Sequence, residues 1–278
     1  MATLCSDTIP FREETITLRL PGATRPVTLM HITDIHFCEC DERDADMLAL
    51  MRQRTIRFHG APQMLFYRLL DHCYETKCDF IALTGDLYDT ITQANLDYLE
   101  ATLRRIKLPW GMIWGDHEWY GLKNETREQI VARLGHFVQH RTWLHTRDLA
   151  GVTLMFVDDT RFAITPEQLA EARRVLDASK SCLVFLHIPM NLPTLREPTI
   201  AQWNHCATLS DPDHINPEHR ETTHAFERLL SEHPKVGGVF AGHLHLFHDD
   251  PLTNGARQYV SGPSFEHCCR RVQIVPAD

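Results

Sequence analysis

The chain lacks any apolar run near the roughly 20 residues that a membrane helix requires. Its longest, such as LMFV and CLVFL, are far shorter, so no membrane span is expected. It also lacks an excess of positive charge. Lysine and arginine number 28 against 37 acids, giving a net charge of −9, and no positive field remains to hold a polyanion by counterion release. Bulk nucleic-acid binding is therefore not expected. The opening stretch, MATLCSDTIPFREET, carries three acids and no apolar h-region, so it does not match a secretory signal and a cytoplasmic protein is expected. No repeat, low-complexity tract or glycine/serine linker interrupts the 278 residues, and one domain spanning 1–278 is the simplest organisation. The nine cysteines include no C-x-x-C spacing, which argues for free thiols over zinc knots or a disulfide framework.

What the chain does have is a 43 % apolar content, enough for a sizeable core, and 18 histidines, which favour metal or acid-base chemistry without placing it. Short β-rich runs alternate with helix-length amphipathic segments: VTLMHIT, DFIALTG, WGMIWG, VTLMFVD, CLVFLHI and VGGVFAG, then ARQYVSG and RVQIV. Continuous apolar character in the first six predicts strands buried on both faces. Leu65, Leu69 and Cys73 recur at helical spacing, as do Leu96, Leu99, Leu103 and Ile106. A capping box at Thr165-Pro166-Glu167-Gln168 opens another helix, and a fourth runs through Phe226, Leu229 and Leu230. The pattern is α/β, with mostly parallel central strands and an antiparallel end.

Ligands gather at the carboxyl ends of strands in such sheets. The residues found there are nearly all metal-ligating types: Asp34 and His36, Asp86 and Asp89, Asp116 with His117 and Glu118, His187, and His243 with His245. Singly, each has a plain explanation as a cap, a turn or a core histidine. Five successive strand ends carrying them together do not. Mixed carboxylate and imidazole donors without thiolates suit manganese, zinc or iron, with magnesium also compatible.

In order, the blocks D-x-H, G-D-x-x-D, G-D-H-E, H and G-H-x-H, spanning positions 34 to 245, resemble those of the calcineurin-like metallophosphoesterases. That resemblance implies a four-layer α-β-β-α sandwich: two mixed β-sheets flanked by helices, with a two-metal site on one edge. It assigns Asp34, His36, Asp86 and His245 to the first divalent ion. Asp86, Asp116, His187 and His243 then hold the second, with Asp86 bridging. It makes His117 the group that contacts the phosphate or protonates the leaving oxygen, oriented by Asp89. The implied reaction is hydrolysis of a small phosphorylated substrate by a metal-bridging hydroxide, in line and without a covalent intermediate. The family has asparagine where Asp116 stands, so the site here gains a negative charge.

Two other functions stay open. One is a nucleotide or cyclic-nucleotide phosphodiesterase, with Tyr120 or Trp203 stacking a base. The other is a non-catalytic metal-binding scaffold for protein interaction. The segments 38–62 and 189–220 are long connections beside site residues, expected to be lids, substrate-selecting insertions or unstructured loops. Trp119 and Tyr120 suit packing or the pocket wall, Arg161 the surface, and His205, His214 and His219 a solvated loop. Oligomeric state is not legible.

Overall fold

The computed structural model describes residues 10–60, 62–121, 126–138 and 143–277, with side chains omitted for 133–138. Cys5 lies outside them; the other eight cysteines are free thiols, seven of them buried.

Eleven strands form two sheets among the described residues. The first contains β1 (Arg12–Leu20), β2 (Val27–Ile32), β3 (Phe80–Thr84), β4 (Trp110–Ile113) and β11 (Cys268–Pro276), in the order β1-β11-β2-β3-β4. The second contains β5 (Leu144–Leu149), β6 (Val152–Val157), β7 (Cys182–Phe185), β8 (Val236–Ala241), β9 (His248–Pro251) and β10 (Arg257–Val260), in the order β5-β6-β7-β8-β10-β9. Parallel pairing joins β2-β3-β4 in one sheet and β6-β7-β8-β10 in the other. Antiparallel pairs are β2-β11, β5-β6 and β9-β10, so both sheets are mixed.

Five of the six apolar runs are inner strands and the sixth, β4, is an edge strand of the first sheet; β3 and β7 are buried along their whole length. Leu29, Phe80, Phe156, Leu183, Phe185, Phe240 and Val272 interlock between the sheets. The other face of the first sheet is covered by α2 (Pro62–Glu75) and α3 (Gln93–Arg105), through Leu65, Leu69, Leu96 and Leu99. The other face of the second is covered by α5 (Pro166–Ala178) and α7 (Arg220–Glu232), through Ala172, Leu176, Phe226 and Leu230. The expected capping box is present: the Thr165 hydroxyl accepts from the Gln168 N–H, and the Gln168 carboxamide accepts from the Thr165 N–H.

The long connections are partly helical. Residues 38–62 contain a 3₁₀ turn at Glu42–Met47 and α1 (Leu48–Arg57). Residues 189–220 contain α6 (Arg196–Trp203) and a 3₁₀ turn at Pro217–His219. A further helix, α4 (Arg127–Val138), precedes β5. Register decides where the chemistry lies: Ile32 faces Leu83, Thr84 faces Ile113 and Phe185 faces Phe240. The parallel strands therefore end abreast, and the segments after them converge on one edge of the sandwich.

Candidate metal centre

The residues that follow β2, β3, β4, β7 and β8 meet in two groups of ligand atoms, each within 4.8 Å of one another: Asp34, His36, Asp86 and His245; and Asp86, Asp116, His187 and His243. Asp86 belongs to both. All seven residues singled out as ligands from the sequence are brought together, and His36, Asp89 and His117 form a third, overlapping group. Arg161, His205, His214 and His219 stay outside these groups.

Backbone geometry builds the site before any side chain acts. The Ile35 and His36 amides donate to the Asp86 carbonyl, and the Asp34 amide donates to that of Gly85, joining the turns after β2 and β3. Asp34, His36, Asp86, His243 and His245 all have positive φ, between 51° and 67°. This left-handed conformation turns each ligand in toward the strand ends. Gly115 is required by close approach, since a Cβ there would collide with the Asp86 carboxylate.

The carboxylates are tied down from behind. Asp34 accepts from the His243 amide at 3.0 and 3.1 Å and from the Thr33 hydroxyl at 2.8 Å. One Asp86 oxygen accepts from the His117 amide at 3.0 Å. Its other oxygen lies 3.5 Å from His36 Nε2 and 3.4 Å from His187 Nε2. His187 Nδ1 donates to the Thr84 carbonyl at 2.7 Å, which leaves Nε2 as the ligand nitrogen. Asp116 Oδ1 lies 3.1 Å from His187 Nε2 and 3.0 Å from His243 Nδ1, while its Oδ2 accepts from the Tyr120 hydroxyl at 2.8 Å. That hydroxyl meets the extra charge of the aspartate directly.

Glu118 is a supporting residue whose role the sequence did not reveal. Fully buried, it accepts from the amides of Asp86, Leu87 and Gly115 at 2.8, 2.6 and 2.6 Å, clamping the turn after β3 to the turn after β4. Burial and the Asp86 charge push its pKa up to about 8. Asp159 does the same for the turn after β7, accepting from the His187 and Ile188 amides at 3.2 and 3.0 Å.

Electrostatics fit a cation. Burial works to raise the pKa of Asp34, but His245, His187 and His36 hold it below the ordinary range. Burial works to lower that of His187, but Asp86, Asp116 and Asp34 hold it well above 6.5. Three carboxylates converge with four imidazoles, and His36 Nε2 faces His245 Nε2 at 3.2 Å. Nitrogens facing one another beside buried carboxylates are a donor set for divalent ions, whose charge would take the place of protons on the imidazoles.

Beside the first group, His117 Nδ1 lies 3.0 Å from Asp89 Oδ1. Burial opposes its charge, but Asp86, Asp89 and Asp116 raise its pKa to about 10. Asp89 also takes a bidentate contact from Arg54 of α1, at 2.6 and 2.5 Å, and lies 3.3 Å from His36 Nδ1. Phe58 stacks on the His36 ring with centroids 4.5 Å apart and planes 9° from parallel. A cavity of about 430 Å³ opens over this group, lined among others by His36, His117, His245, Tyr120 and Trp203. A second cavity, about 470 Å³, is lined by Trp119 and includes none of the seven clustered residues.

No curated protein sequence matches the chain. A dimetal phosphatase from Danio rerio superposes on 88 % of this chain and 91 % of its own, with a TM-score of 0.63 at 15 % identity. The purple acid phosphatase PPD1 from yellow lupin (Lupinus luteus) seeds superposes on 87 % of this chain and 45 % of its own, with a TM-score of 0.50 at 11 % identity. At such identities the likeness concerns the fold. The calcineurin-like phosphoesterase family profile matches residues 27–247, the segment that carries all seven residues of the two four-residue groups, and the chain belongs to that family.

Proposed function

We propose that the protein hydrolyses phosphate esters at a two-metal centre held by Asp34, His36, Asp86, Asp116, His187, His243 and His245, within one domain whose 38–62 and 189–220 segments shape the substrate pocket. The observation that carries this reading is the sharing of Asp86 between two four-residue groups, the first of which opens through His36 and His245 on a cavity that His117 also lines. Two divalent ions there would supply a hydroxide nucleophile near neutral pH and positive charge for the phosphoryl oxygens. Manganese, zinc or iron suits the donor set best, with magnesium also compatible.

The chain's own groups supply the rest. With Nδ1 directed to Asp89, His117 holds a proton on Nε2, available to the oxygen of the leaving group. Asp89 is held in place by Arg54, and so orients His117 and His36 together. Met47, Leu50 and Phe58 line the cavity and limit water at the reacting phosphate.

A second reading, hydrolysis of a nucleotide diester or cyclic nucleotide, is favoured by Tyr120 and Trp203, two aromatic rings lining the same cavity. One experiment tests both. The purified protein, its metals counted by elemental analysis, is assayed with phosphomonoesters, diesters, cyclic nucleotides and dinucleotides. Turnover that requires two equivalents of metal is expected. Metal binding with no hydrolysis of any of them would overturn the enzymatic reading in favour of a scaffold.

A further inference from the structure

The cavity over the first ligand group has a charge that the ligands do not explain. Arg54 and Arg57 of α1 line it, and among the described residues no carboxylate side chain does, in a protein of net charge −9. Arg54 is neutralised by its bidentate contact with Asp89. Arg57 is three residues on, hence on the same helix face. It has no carboxylate partner among the described residues.

Its side chain is exposed at the cavity, and its backbone is held. The last turn of α1 is held at Arg54 by Asp89 and at Phe58 by His36, and the Phe58 ring also packs on Phe265 with centroids 4.9 Å apart. The Arg57 guanidinium carbon lies 5.9 Å from the centroid of that ring. An arginine so placed, unpaired and facing a cavity without acids, is a receptor for an oxyanion. The scissile phosphate already has its partners in the metal-ligand groups and His117, so the oxyanion belongs to the rest of the substrate.

We infer that Arg57 selects phosphate esters whose leaving group itself carries an oxyanion, a carboxylate or a second phosphate. The inference rests on the phosphoesterase reading above for the word ester, and on Arg57 alone for the anion.

The test uses the full chain loaded with manganese. Phenylphosphonate, 3-carboxyphenylphosphonate and 3-phosphonophenylphosphonate are titrated as non-hydrolysable probes by calorimetry. The corresponding phosphate esters are compared by kcat/KM. The anionic probes should bind more tightly than phenylphosphonate, and Arg57→Gln should shrink that ratio roughly tenfold, the scale of one charge-assisted contact. Whichever anionic probe loses more identifies the preferred oxyanion. Arg52→Gln, on the same helix but outside the cavity, should keep the ratio. An unchanged ratio in Arg57→Gln, or an equal fall in Arg52→Gln, would overturn the inference. Hydrolysis with unchanged ratios leaves the phosphoesterase reading standing and removes Arg57. A ratio that falls on binding while no ester is hydrolysed keeps the anion site and removes the phosphoesterase reading.

Discussion

The two ligand groups share Asp86 but face different surroundings. His36 and His245 of the first line the cavity, beneath Phe58 and beside His117 and Arg54. Asp116, His187 and His243 of the second do not line it; they are held by the Thr84 carbonyl, the Tyr120 hydroxyl and the edge of the Phe162 ring. In the proposed function the first group, open to the cavity, meets the substrate and the second, outside the cavity lining, keeps an ion; burial does not separate them, since each has three buried residues and one partly exposed histidine. Changes on the open side should therefore appear in turnover, and changes behind the second group in metal affinity.

The most severe test removes what the groups share. Asp86→Asn should reduce metal content at both positions and bring activity to the detection limit, while circular dichroism stays native. Retention of both ions by the folded variant would break the bridging assignment. Next is His117→Ala on the open side, expected to lower kcat on the order of 10²–10⁴-fold with metal content unchanged. Near-native turnover would remove His117 from the chemical step. At the second group, Tyr120→Phe deletes the hydrogen bond to Asp116 Oδ2 while keeping the ring that lines the cavity. It should weaken the second ion roughly tenfold, the lower end for a partner behind a ligand. Equal weakening of both ions in a manganese titration would erase the contrast between the groups.

The smallest effect concerns the floor beneath both. His31 is fully buried, and its ring nitrogens contact Ser261 Oγ at 2.9 Å and Thr84 Oγ1 at 2.7 Å. Burial first, and then the Arg270 charge, lower its pKa from 6.5 to about 3. Between these values the unfolded chain binds the proton and the folded one does not, so stability falls as pH drops. In the metal-free protein, His31→Gln should flatten that acid-side loss by up to about 1.4 kcal/mol per pH unit, measured by urea unfolding. Parallel profiles for the two proteins would rule out His31 as a source.

The central strands and the ligands were legible because both depend on local pattern: a buried strand reads as an apolar run, and its end as the next two or three residues. The 3₁₀ turn that brings Glu118 under Asp86 was not legible, because two of the three amides that Glu118 accepts from, those of Asp86 and Leu87, are more than one element away. Arg54 was hidden for a related reason. Its helix, α1, leaves Ile56 78 % exposed and Leu50 41 % exposed, facing solvent or the cavity, so no apolar stripe announced it. The edge strand β1 alternates in exposure and pairs with β11 from the far end of the chain, and neither feature makes an apolar run.

The left-handed backbone at Asp34, His36, Asp86, His243 and His245 bears on whether such a chain could be a relic. Each costs roughly 1 kcal/mol relative to a residue at ease there, so five together are comparable to the lower end of a domain's net stability. Glycine at any of the five would relax that strain. A lineage freed from metal binding has such substitutions open to it at single positions, each making the fold more robust. This chain has taken none of them at these five positions; His59, Lys77, Ala150, Phe162, Asn204 and His267 hold the same conformation away from the two ligand groups, so the fold carries such backbone at eleven non-glycine positions among the described residues.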